Sequence, residues 1–380
     1  MGKRPQEEIP RERRFHAIRE PLFRGGGLDI GLEQAGFRTA LAVDCWDKSR
    51  ETFIMNRPGL PFYHGSIADL TGALMKKHSN GSAVRGIDLL VGGPPCPPYS
   101  KSRFYQKEKP RGLDDELGQV TMDGYLNALH ILKPRAFLFE NVAGMAYKVH
   151  REALDLLTES ARGLGYECTW RVLNSANYGV PQIRERFIMV GMRSRCFEFP
   201  EHTHISDDAR AKNDQPSSLL PWQTAGQVLC DLDTEENADD TGHFAGGQHN
   251  SLLKLVPPGQ NYLFFTKERG YPGPMFKWRS RYWSFLLKLS PDMPSWTIQA
   301  RRSNNMGPFH WRSRILRIEE VKRIQTFPDD WKLAGSVEDQ WRQVGNAVPP
   351  LLARRLGEAL FEQLSAQLCK PENGRRSKHQ

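Results

Sequence analysis

The sequence predicts an α/β protein with a parallel, doubly wound sheet, followed by a second and smaller domain. Short apolar stretches alternate with helical patterns through the first 195 residues, which is typical of strands covered by helices. Polar and charged residues come directly after several predicted strands, where open α/β sheets bind their ligands. From residue 197 this alternation ends, and residues 254–296 interleave aromatic with basic side chains.

The composition is that of a folded protein and fits a polyanionic partner. The chain has 380 residues, of which 39% are hydrophobic and 26% charged, so one large or two unequal domains with a packed core are expected. The net charge of +9 suits a nucleic acid without proving one. No apolar signal region and no stretch of membrane-spanning length is present, so we expect a cytoplasmic protein without membrane contact.

The cysteine pattern predicts neither a zinc site nor a disulfide framework. Six cysteines are spread along the chain, and no two form a Cys-x-x-Cys pair. We therefore expect no metal and a reducing compartment. The cysteines are Cys45, Cys96, Cys168, Cys196, Cys230 and Cys369.

The chain begins with a polar segment, residues 1–19, that we interpret as a loose arm. A short strand is predicted over Pro21–Phe23, followed by the loop Arg24–Gly27 and a helix over Leu28–Gly36. A strand, a glycine loop and a helix in this order indicate a cofactor-binding unit. Glycines also serve turn geometry alone, so the loop by itself is a weak signal.

A second predicted strand, Thr39–Val43, ends at an acidic residue, Asp44. An acid in this position typically accepts hydrogen bonds from ribose hydroxyls. A helix-capping role for Asp44 is about equally compatible with the sequence. A third strand is predicted to end at His64-Gly65-Ser66-Ile67.

The fourth predicted strand, Ile87–Val91, leads into Gly92-Gly93-Pro94-Pro95 and then Cys96. Two prolines supply no hydrogen-bond donors to a sheet, so the strand ends there. A loop rich in basic and aromatic residues follows, from Lys101 to Arg111. A cysteine at a strand end before such a loop indicates a thiolate nucleophile acting on nucleic acid. A lone cysteine is more often a small buried residue, so this interpretation depends on its neighbours.

The fifth predicted strand, Arg135–Phe139, ends at Glu140-Asn141-Val142, between helices predicted at Leu126–Leu132 and Arg151–Leu164. Asp44, Ser66, Cys96 and Glu140 thus all follow strand ends. Because the carboxyl ends of parallel strands share one edge of a sheet, a single active site is predicted there.

Two further strands, Tyr166–Leu173 and Arg186–Met192, flank a polar segment. In an extended chain, Gln182, Arg184 and Arg186 would face the same side. Such a row suits an anionic or base-like ligand. A solvated strand face is the alternative.

The remainder of the chain is predicted as a smaller domain, residues 197–340, and a returning helix. Its aromatic residues would form either a plain core or, with the interleaved basic residues, a nucleic-acid surface. A helix is predicted over Arg317–Phe327, and the segment Gln343–Pro350 opens the last helix, Leu351–Leu368. Residues 369–380 are predicted to be a disordered tail.

Taken in order, these motifs resemble those of the DNA (cytosine-5) methyltransferase family. The stretches that carry the resemblance are PLFRGGGLDIGLEQAG, AVDCWD, HGSI, GGPPCPPYS, FENV, YGVPQIRERF, RIQTFPDDW and QVGNAVPP. The resemblance implies a Rossmann-like S-adenosylmethionine-binding domain, residues 20–196 plus 341–368, with residues 197–340 as a target-recognition domain. It implies methyl transfer to C5 of a flipped-out cytosine in duplex DNA, in a restriction–modification system with a separate endonuclease, by a monomer.

The resemblance also implies roles for individual residues. The catalytic residues would be Cys96, Glu140, Arg184 and Arg186. The contacts to S-adenosylmethionine, and to its product S-adenosylhomocysteine, would be Phe23, Gly25, Gly27, Asp44, Cys45, Trp46, Ser66, Ile67, Pro94 and Asn346, with Cys45 and Trp46 as alternative partners of the adenine. The DNA contacts would be Lys101, Arg103, Gln182, Arg269, Arg279 and Arg281.

Two other functions remain compatible with the sequence. One is a tRNA cytosine-5 methyltransferase with the same catalytic motifs, and the other is a non-catalytic DNA-binding protein that retains the fold. The long segment rich in aromatic and basic residues favours the DNA enzyme over the first. The presence of Cys96, Glu140 and Arg186 disfavours the second.

Overall fold

A computed structural model describes residues 16–19, 24–79, 86–93, 97–99, 110–193, 195–212, 218–234 and 243–368. Its strands are β1 His16–Arg19, β2 Arg38–Asp44, β3 Phe62–His64, β4 Leu89–Gly92, β5 Ala136–Val142, β6 Glu167–Asn174, β7 Gln182–Ile183, β8 Glu185–Met192, β9 His204–Ile205, β10 Leu220–Pro221 and β11 Ser295–Trp296. Its helices are α1 Gly27–Gln34, α2 Asp47–Asn56, α3 Gly72–His78, α4 Glu116–Leu132, α5 Arg151–Gly163, α6 Asp207–Ala211, α7 Ala225–Leu229, α8 Asn250–Leu255, α9 Ile318–Ile324, α10 Val337–Asn346 and α11 Pro350–Leu368. In these ranges no helix has the length and apolarity needed to span a membrane.

Seven strands form one twisted sheet in the order β3-β2-β1-β4-β5-β8-β6. The first five strands of the chain are parallel, whereas β8 runs antiparallel to both of its neighbours. The predicted α/β fold with a parallel, doubly wound sheet is confirmed for β1 to β5. The antiparallel strand β8 was not foreseen, because strand direction has no signature in apolar periodicity.

The first strand lies earlier in the chain than predicted. Strand β1 occupies His16–Arg19 and pairs with β2 on one side and β4 on the other. The prediction of a loose arm through residue 19 is therefore wrong for its last four residues. A four-residue strand is too short to show a period of two, which explains the error. The predicted strand Pro21–Phe23 lies outside the described residues.

Apolar layers cover both faces of the sheet. Because neighbouring residues of a strand point to opposite faces, Leu90 and Phe137 pack under α4 and α5 while Leu89 and Leu138 pack under α1 and α11. Each layer is continuous, and its members are almost completely buried. Burial on both faces is typical of parallel strands and fixes the register of the residues at their ends.

Residues 197–340 contain little regular structure. The strands in this segment are two residues long, and its apolar cluster gathers side chains from loops, including Tyr262, Phe285 and Phe309. The cluster continues into Ile30 of α1 and Trp341 of α10. Strand β11 pairs with β7, which directly precedes β8. The irregular segment is thus anchored on the sheet beside the predicted site.

Candidate active site

The ends of β4 and β5 approach each other so closely that only glycine fits. A Cβ atom on Gly93 would lie 1.9 Å from the carbonyl oxygen of Glu140. A methyl group there is sterically forbidden, since carbon and oxygen atoms in contact are normally more than 3 Å apart. The chain therefore enters the Pro-Pro-Cys segment against the backbone of the residue that was predicted to contact the base.

Several predicted site residues lie outside the described residues, namely Phe23, Pro94, Cys96, Lys101 and Arg103. The structure does show the chain on both sides of them. Tyr99 is buried against His150, with ring centroids 5.3 Å apart, and Gly112 also lies against His150. The residues that flank the loop Lys101–Arg111, Tyr99 before it and Gly112 after it, thus both contact His150.

Glu140 and Arg186 form a buried ion pair at this edge. The antiparallel pairing of β5 with β8 brings them together, and Arg186 Nε lies 2.9 Å from Glu140 Oε1. The two residues are 4% and 6% exposed. Arg186 Nη1 also donates to the carbonyl oxygen of Glu185 at 2.8 Å, which fixes the guanidinium. A carboxylate beside guanidinium donors matches the edge of a cytosine, which offers an amine, a ring nitrogen and a carbonyl.

Arg184 and Gln182 do share a face with Arg186, but the second segment covers them. Arg184 donates to the carbonyl oxygens of Ile298 at 2.9 Å and Gly345 at 2.6 Å. Gln182 accepts from the backbone N–H of Ile298 at 3.1 Å and is 0% exposed. The predicted DNA contact of Gln182 and the predicted catalytic role of Arg184 stay predictions. In this structure the two bonds of Arg184 join three parts of the chain.

The predicted glycine loop is packed against the chain between α10 and α11. Gly25 has a φ of +69°, and a Cβ on Gly27 would lie 2.1 Å from the carbonyl oxygen of Val348. A Cβ on Gly31 would lie 2.3 Å from the carbonyl oxygen of Pro350. The loop and the C-terminal segment therefore form one unit. Only glycine allows this close approach, because any side chain at Gly27 or Gly31 would collide with a backbone carbonyl oxygen.

Asp44 lies at the end of β2 and is buried. Its Oδ1 accepts from the backbone N–H of Trp46 at 2.8 Å, which holds the carboxylate in place. Cys45 is exposed, whereas the Trp46 ring is half-buried with the guanidinium of Arg342 4.7 Å from its centroid. Of the two predicted adenine partners, Trp46 therefore presents the larger flat surface.

The other predicted cofactor contacts have structural partners of their own. Ser66 Oγ accepts from the backbone N–H of Ala68 at 3.2 Å, and Ile67 is buried, with a Cβ on Gly124 of α4 lying 2.8 Å from its methyl group. Asn346 is half-buried at the end of α10. In the described ranges no group of three or more His, Cys, Asp or Glu side chains is placed to hold a metal ion.

Two of the described cysteines, Cys45 and Cys168, are poor competitors for the role of nucleophile. Burial raises the pKa of Cys168 to about 11. Although Cys45 is exposed as a whole residue, partial desolvation of its thiol and the neighbouring Asp44 charge raise its pKa. Because the thiolate is the reactive form, both residues are disfavoured as nucleophiles.

The family profile described as C-5 cytosine-specific DNA methylase matches residues 21–362. The chain belongs to this family. Among its curated relatives, the Type II methyltransferase M.SacI of Streptomyces achromogenes is 37% identical over 367 residues, which cover 90% of this chain and 92% of that protein. The Type II methyltransferase M.PspPI of a Psychrobacter species is 31% identical, covering 91% of this chain and 79% of that protein.

Solved structures of methyltransferases share the fold. A DNA modification methyltransferase encoded within an Escherichia coli prophage gives a TM-score of 0.64 at 20% identity, covering 92% of this chain and 99% of that chain. The S. pombe Dnmt2 methyltransferase gives a TM-score of 0.62 at 16% identity with the same coverage. The predicted family is confirmed, and so is the Rossmann-like fold.

Sequence reasoning missed two features of this family member's site. The Gly92-Gly93 pair before two prolines predicts the end of a strand, but glycine within a strand also marks the close approach of another backbone, which is what Gly93 and Glu140 show. Helix α10, which supplies Arg342 and Gly345, was not predicted. Its ten residues are largely polar, and only Trp341 and Val344 mark the buried face.

Proposed function

We propose that this protein transfers a methyl group from S-adenosylmethionine to C5 of a cytosine within a specific site of duplex DNA. The observation that carries the proposal is the buried pair of Glu140 and Arg186, fixed at the sheet edge that the segment leading to Cys96 enters. Membership of the C-5 cytosine-specific DNA methylase family supports it. The arrangement fits the edge of a cytosine better than it fits a phosphate, because it combines a carboxylate with a guanidinium.

Cytosine needs nucleophilic activation, since its C5 is a weak nucleophile. We propose that the Cys96 thiolate forms a bond to C6, which moves an electron pair towards C5. Glu140 would accept from the exocyclic amine and share a proton with N3 while negative charge develops in the ring, and Arg186 would donate to O2. S-adenosylmethionine supplies the electrophilic methyl group that C5 takes. Loss of the C5 proton to water then breaks the sulfur–C6 bond and releases the thiolate.

The cofactor would lie between the glycine loop and the end of β2. The glycines at Gly25 and Gly27 let the loop pack directly on α10 and the segment that follows it, and Asp44 is held at the strand end to accept from ribose hydroxyls. Replacing Asp44 by alanine is expected to weaken S-adenosylmethionine binding by about 1 to 3 kcal/mol, because hydroxyl groups lose a buried acceptor. Calorimetry with the cofactor alone measures this, and an unchanged affinity would contradict the role of Asp44.

The biological setting that fits best is a restriction–modification system. M.SacI and M.PspPI both carry the name Type II methyltransferase. We propose that residues 197–340 choose the DNA site and that a separate endonuclease cuts it when unmodified. We further propose that the enzyme acts as a cytoplasmic monomer, because the flipped cytosine needs only one pocket.

The decisive experiment uses DNA that contains 5-fluorocytosine. The fluorine cannot leave as a proton does, so the covalent adduct between Cys96 and C6 is expected to accumulate and survive denaturation. Peptide mapping identifies the attached residue. Cys96→Ser is expected to abolish both turnover and adduct, whereas Cys168→Ser retains both.

Two outcomes would contradict the proposal. The first is an adduct on Cys45 or Cys168 instead of Cys96. The second is methylation of tRNA but not of duplex DNA under the same conditions, which would identify an RNA enzyme on the same fold.

A further inference from the structure

An open cavity of about 770 Å³ lies on the surface of the second segment. The three arginines of this segment that are predicted to contact DNA all line it, although nothing in the sequence distinguishes them. Aromatic side chains fill the space between these arginines. The lining includes Tyr262, Arg269, Trp278, Arg279, Arg281 and Trp283.

Arg281 is engaged in holding the cavity wall. Its backbone N–H donates to Tyr262 Oη at 3.2 Å, and Tyr262 Oη donates to the Arg281 carbonyl oxygen at 2.9 Å. Its guanidinium lies 5.9 Å from the ring centroid of Phe276 and 6.0 Å from that of Phe285. Although Arg281 is exposed, these ring contacts and the bond from its Nη1 to the Ser280 carbonyl oxygen at 3.3 Å tie the guanidinium to its own loop.

Arg279 is placed differently. It lies in a turn that the Ser280 N–H closes on the Lys277 carbonyl oxygen at 3.1 Å. Its φ is +54°, a left-handed conformation that residues other than glycine seldom adopt. Its side chain is exposed at the cavity. Non-glycine residues held in this conformation gather at functional sites, where the strain is retained for the position it gives the side chain.

The charge around the cavity matches duplex DNA. Between residues 262 and 283 five exposed basic side chains stand against one acidic side chain, Glu268. The exposed aromatic rings of Trp278, Tyr282 and Trp283 lie among them. The basic residues are Lys267, Arg269, Lys277, Arg279 and Arg281. Interleaved basic and aromatic side chains on one surface are typical of nucleic-acid binding.

A short series of contacts joins the cavity to the catalytic edge. The ring of Trp283 lies 5.6 Å from that of Trp296, which belongs to β11. Strand β11 pairs with β7, and Thr297 Oγ1 donates to the Ile183 carbonyl oxygen at 2.8 Å. Strand β7 leads into β8, which carries Arg186. The loop that lines the cavity is therefore connected through β11 and β7 to the strand that carries Arg186.

We propose that Arg279 determines DNA specificity by donating two hydrogen bonds to O6 and N7 of a guanine in the major groove. Arg281 positions the loop, and Arg269 contacts the phosphate backbone. A guanidinium fork matches the two acceptors of guanine and of no other base, which makes this pair the commonest specific contact to DNA. The inference rests on the proposed function and adds the residue and base that set the site.

The first test separates sequence choice from catalysis. A pool of random duplexes is enriched by binding to the full-length protein, and the bound sequences are compared between the wild type and Arg279→Gly. Glycine suits a φ of +54°, so this variant removes the side chain without disturbing the backbone. We expect Arg279→Gly to lose the preference for guanine at one position, by roughly 5- to 150-fold, and to keep the preferences elsewhere.

Matched variants make the result specific. Arg269→Ala is expected to weaken binding to all sequences similarly and to lower the salt dependence, as a phosphate contact does. Arg354→Ala, which removes an exposed arginine of α11, is expected to leave binding unchanged. Arg279→Lys keeps the positive charge but removes the two parallel N–H donors of the guanidinium, so this variant is expected to lose the guanine preference as well.

A chemical substitution tests the hydrogen bonds themselves. Replacing that guanine by 7-deazaguanine removes the N7 acceptor, which is expected to weaken binding to the wild type and not to Arg279→Gly. The proposal is overturned if Arg279→Gly selects the wild-type sequence, if Arg269→Ala alone changes it, or if the wild type selects no sequence. A wild type that selects a sequence but methylates no DNA would overturn the proposed function and leave the role of Arg279 intact.

Discussion

The sheet and the irregular segment of residues 197–340 position their side chains by different means. In the sheet, backbone ladders and two apolar layers fix the strand ends, and the proposed catalytic pair, Glu140 and Arg186, lies on β5 and β8. In the segment, single side chains hold the loops, as when Asn261 Nδ2 donates to the Trp283 carbonyl oxygen at 2.8 Å. Base chemistry needs one invariant geometry, which strands provide, whereas sequence recognition needs surfaces that change easily between relatives.

Buried charge is also used differently in the two regions. The sheet edge buries the pair of Glu140 and Arg186 where the substrate is expected. The irregular segment buries Arg314, which makes two bonds of 2.8 and 2.7 Å to Glu320 far from any proposed chemistry. A buried ion pair adds little net stability but penalises every arrangement that breaks it. We infer that the Arg314–Glu320 pair helps to define the fold of this segment, because the segment has few backbone hydrogen bonds between strands.

The largest effect is expected at the catalytic pair. Glu140→Gln keeps the size of the side chain but cannot share a proton with N3, so the negative charge that develops in the cytosine ring is no longer neutralised there. We expect the methyl-transfer rate to fall by about 10²- to 10⁴-fold. Single-turnover kinetics measure the loss, and DNA and cofactor binding are measured separately.

The neighbouring Glu185 provides a matched control, because its side chain is exposed on the adjacent position of β8. Glu185→Gln is expected to keep nearly full activity. If Glu140→Gln and Glu185→Gln lowered the methyl-transfer rate equally, the rate would depend on the total charge near the strand end and not on the buried carboxylate of Glu140.

The second prediction tests whether the strand ends need their close approach. Gly93→Ala places a methyl group 1.9 Å from the Glu140 carbonyl oxygen, so β4 and β5 must separate. We expect a loss of about 3 kcal/mol in the free energy of unfolding, at the upper end for overpacking, together with a large loss of activity. Gly163→Ala in α5, where a Cβ meets nothing within 4 Å, is the control and is expected to be neutral. Denaturant titration would contradict the argument if the two variants were equally stable.

The third prediction compares two arginines on one face. Arg184→Lys leaves one of two buried carbonyl oxygens without a donor, and we expect about 2 kcal/mol less stability with a nearly unchanged rate of methyl transfer. Arg186→Lys is expected to do the reverse, lowering the rate more than the stability. Rates at low temperature and unfolding by denaturant distinguish the two. If Arg184→Lys instead lost activity in proportion to Arg186→Lys, the originally predicted catalytic role would be restored.

The sequence could predict the sheet because its signals are local. Apolar runs such as Leu89–Val91 and the polar residues after them are legible within a few positions, and their convergence follows from strand direction. It could not predict β1, which is too short for a period, or α10, whose exposed face is polar.

Contacts between distant segments are beyond such reasoning. Alternation placed Gln182, Arg184 and Arg186 on one face, which the structure confirms. It could not tell that a loop more than one hundred residues later would cover two of them. The choice among three arginines likewise depends on the rings of Phe276 and Phe285, which lie about 6 Å from the guanidinium of Arg281.

The smallest effect is expected in the irregular segment and concerns pH. His310 is fully buried, and burial together with nearby arginines lowers its pKa to about 2. Its Nε2 lies 3.6 Å from Glu320 and 3.7 Å from Asp233, but Arg314 and Arg312 already neutralise these carboxylates. Its Nδ1 accepts from the backbone N–H of Arg312 at 3.1 Å, so the ring is held in its neutral form.

Because His310 stays neutral when folded, only the unfolded chain takes up its proton as the pH falls below about 6.5. The folded state is therefore fully favoured above that pH and loses about 1.4 kcal/mol for each unit below it. His310→Gln removes this titration while retaining a side-chain acceptor. We expect the wild type to lose more stability than the variant between pH 7 and pH 5, measured by denaturant unfolding. Parallel pH profiles would show that His310 is protonated in the folded protein, and the buried charges of the irregular segment would then be arranged around a cation.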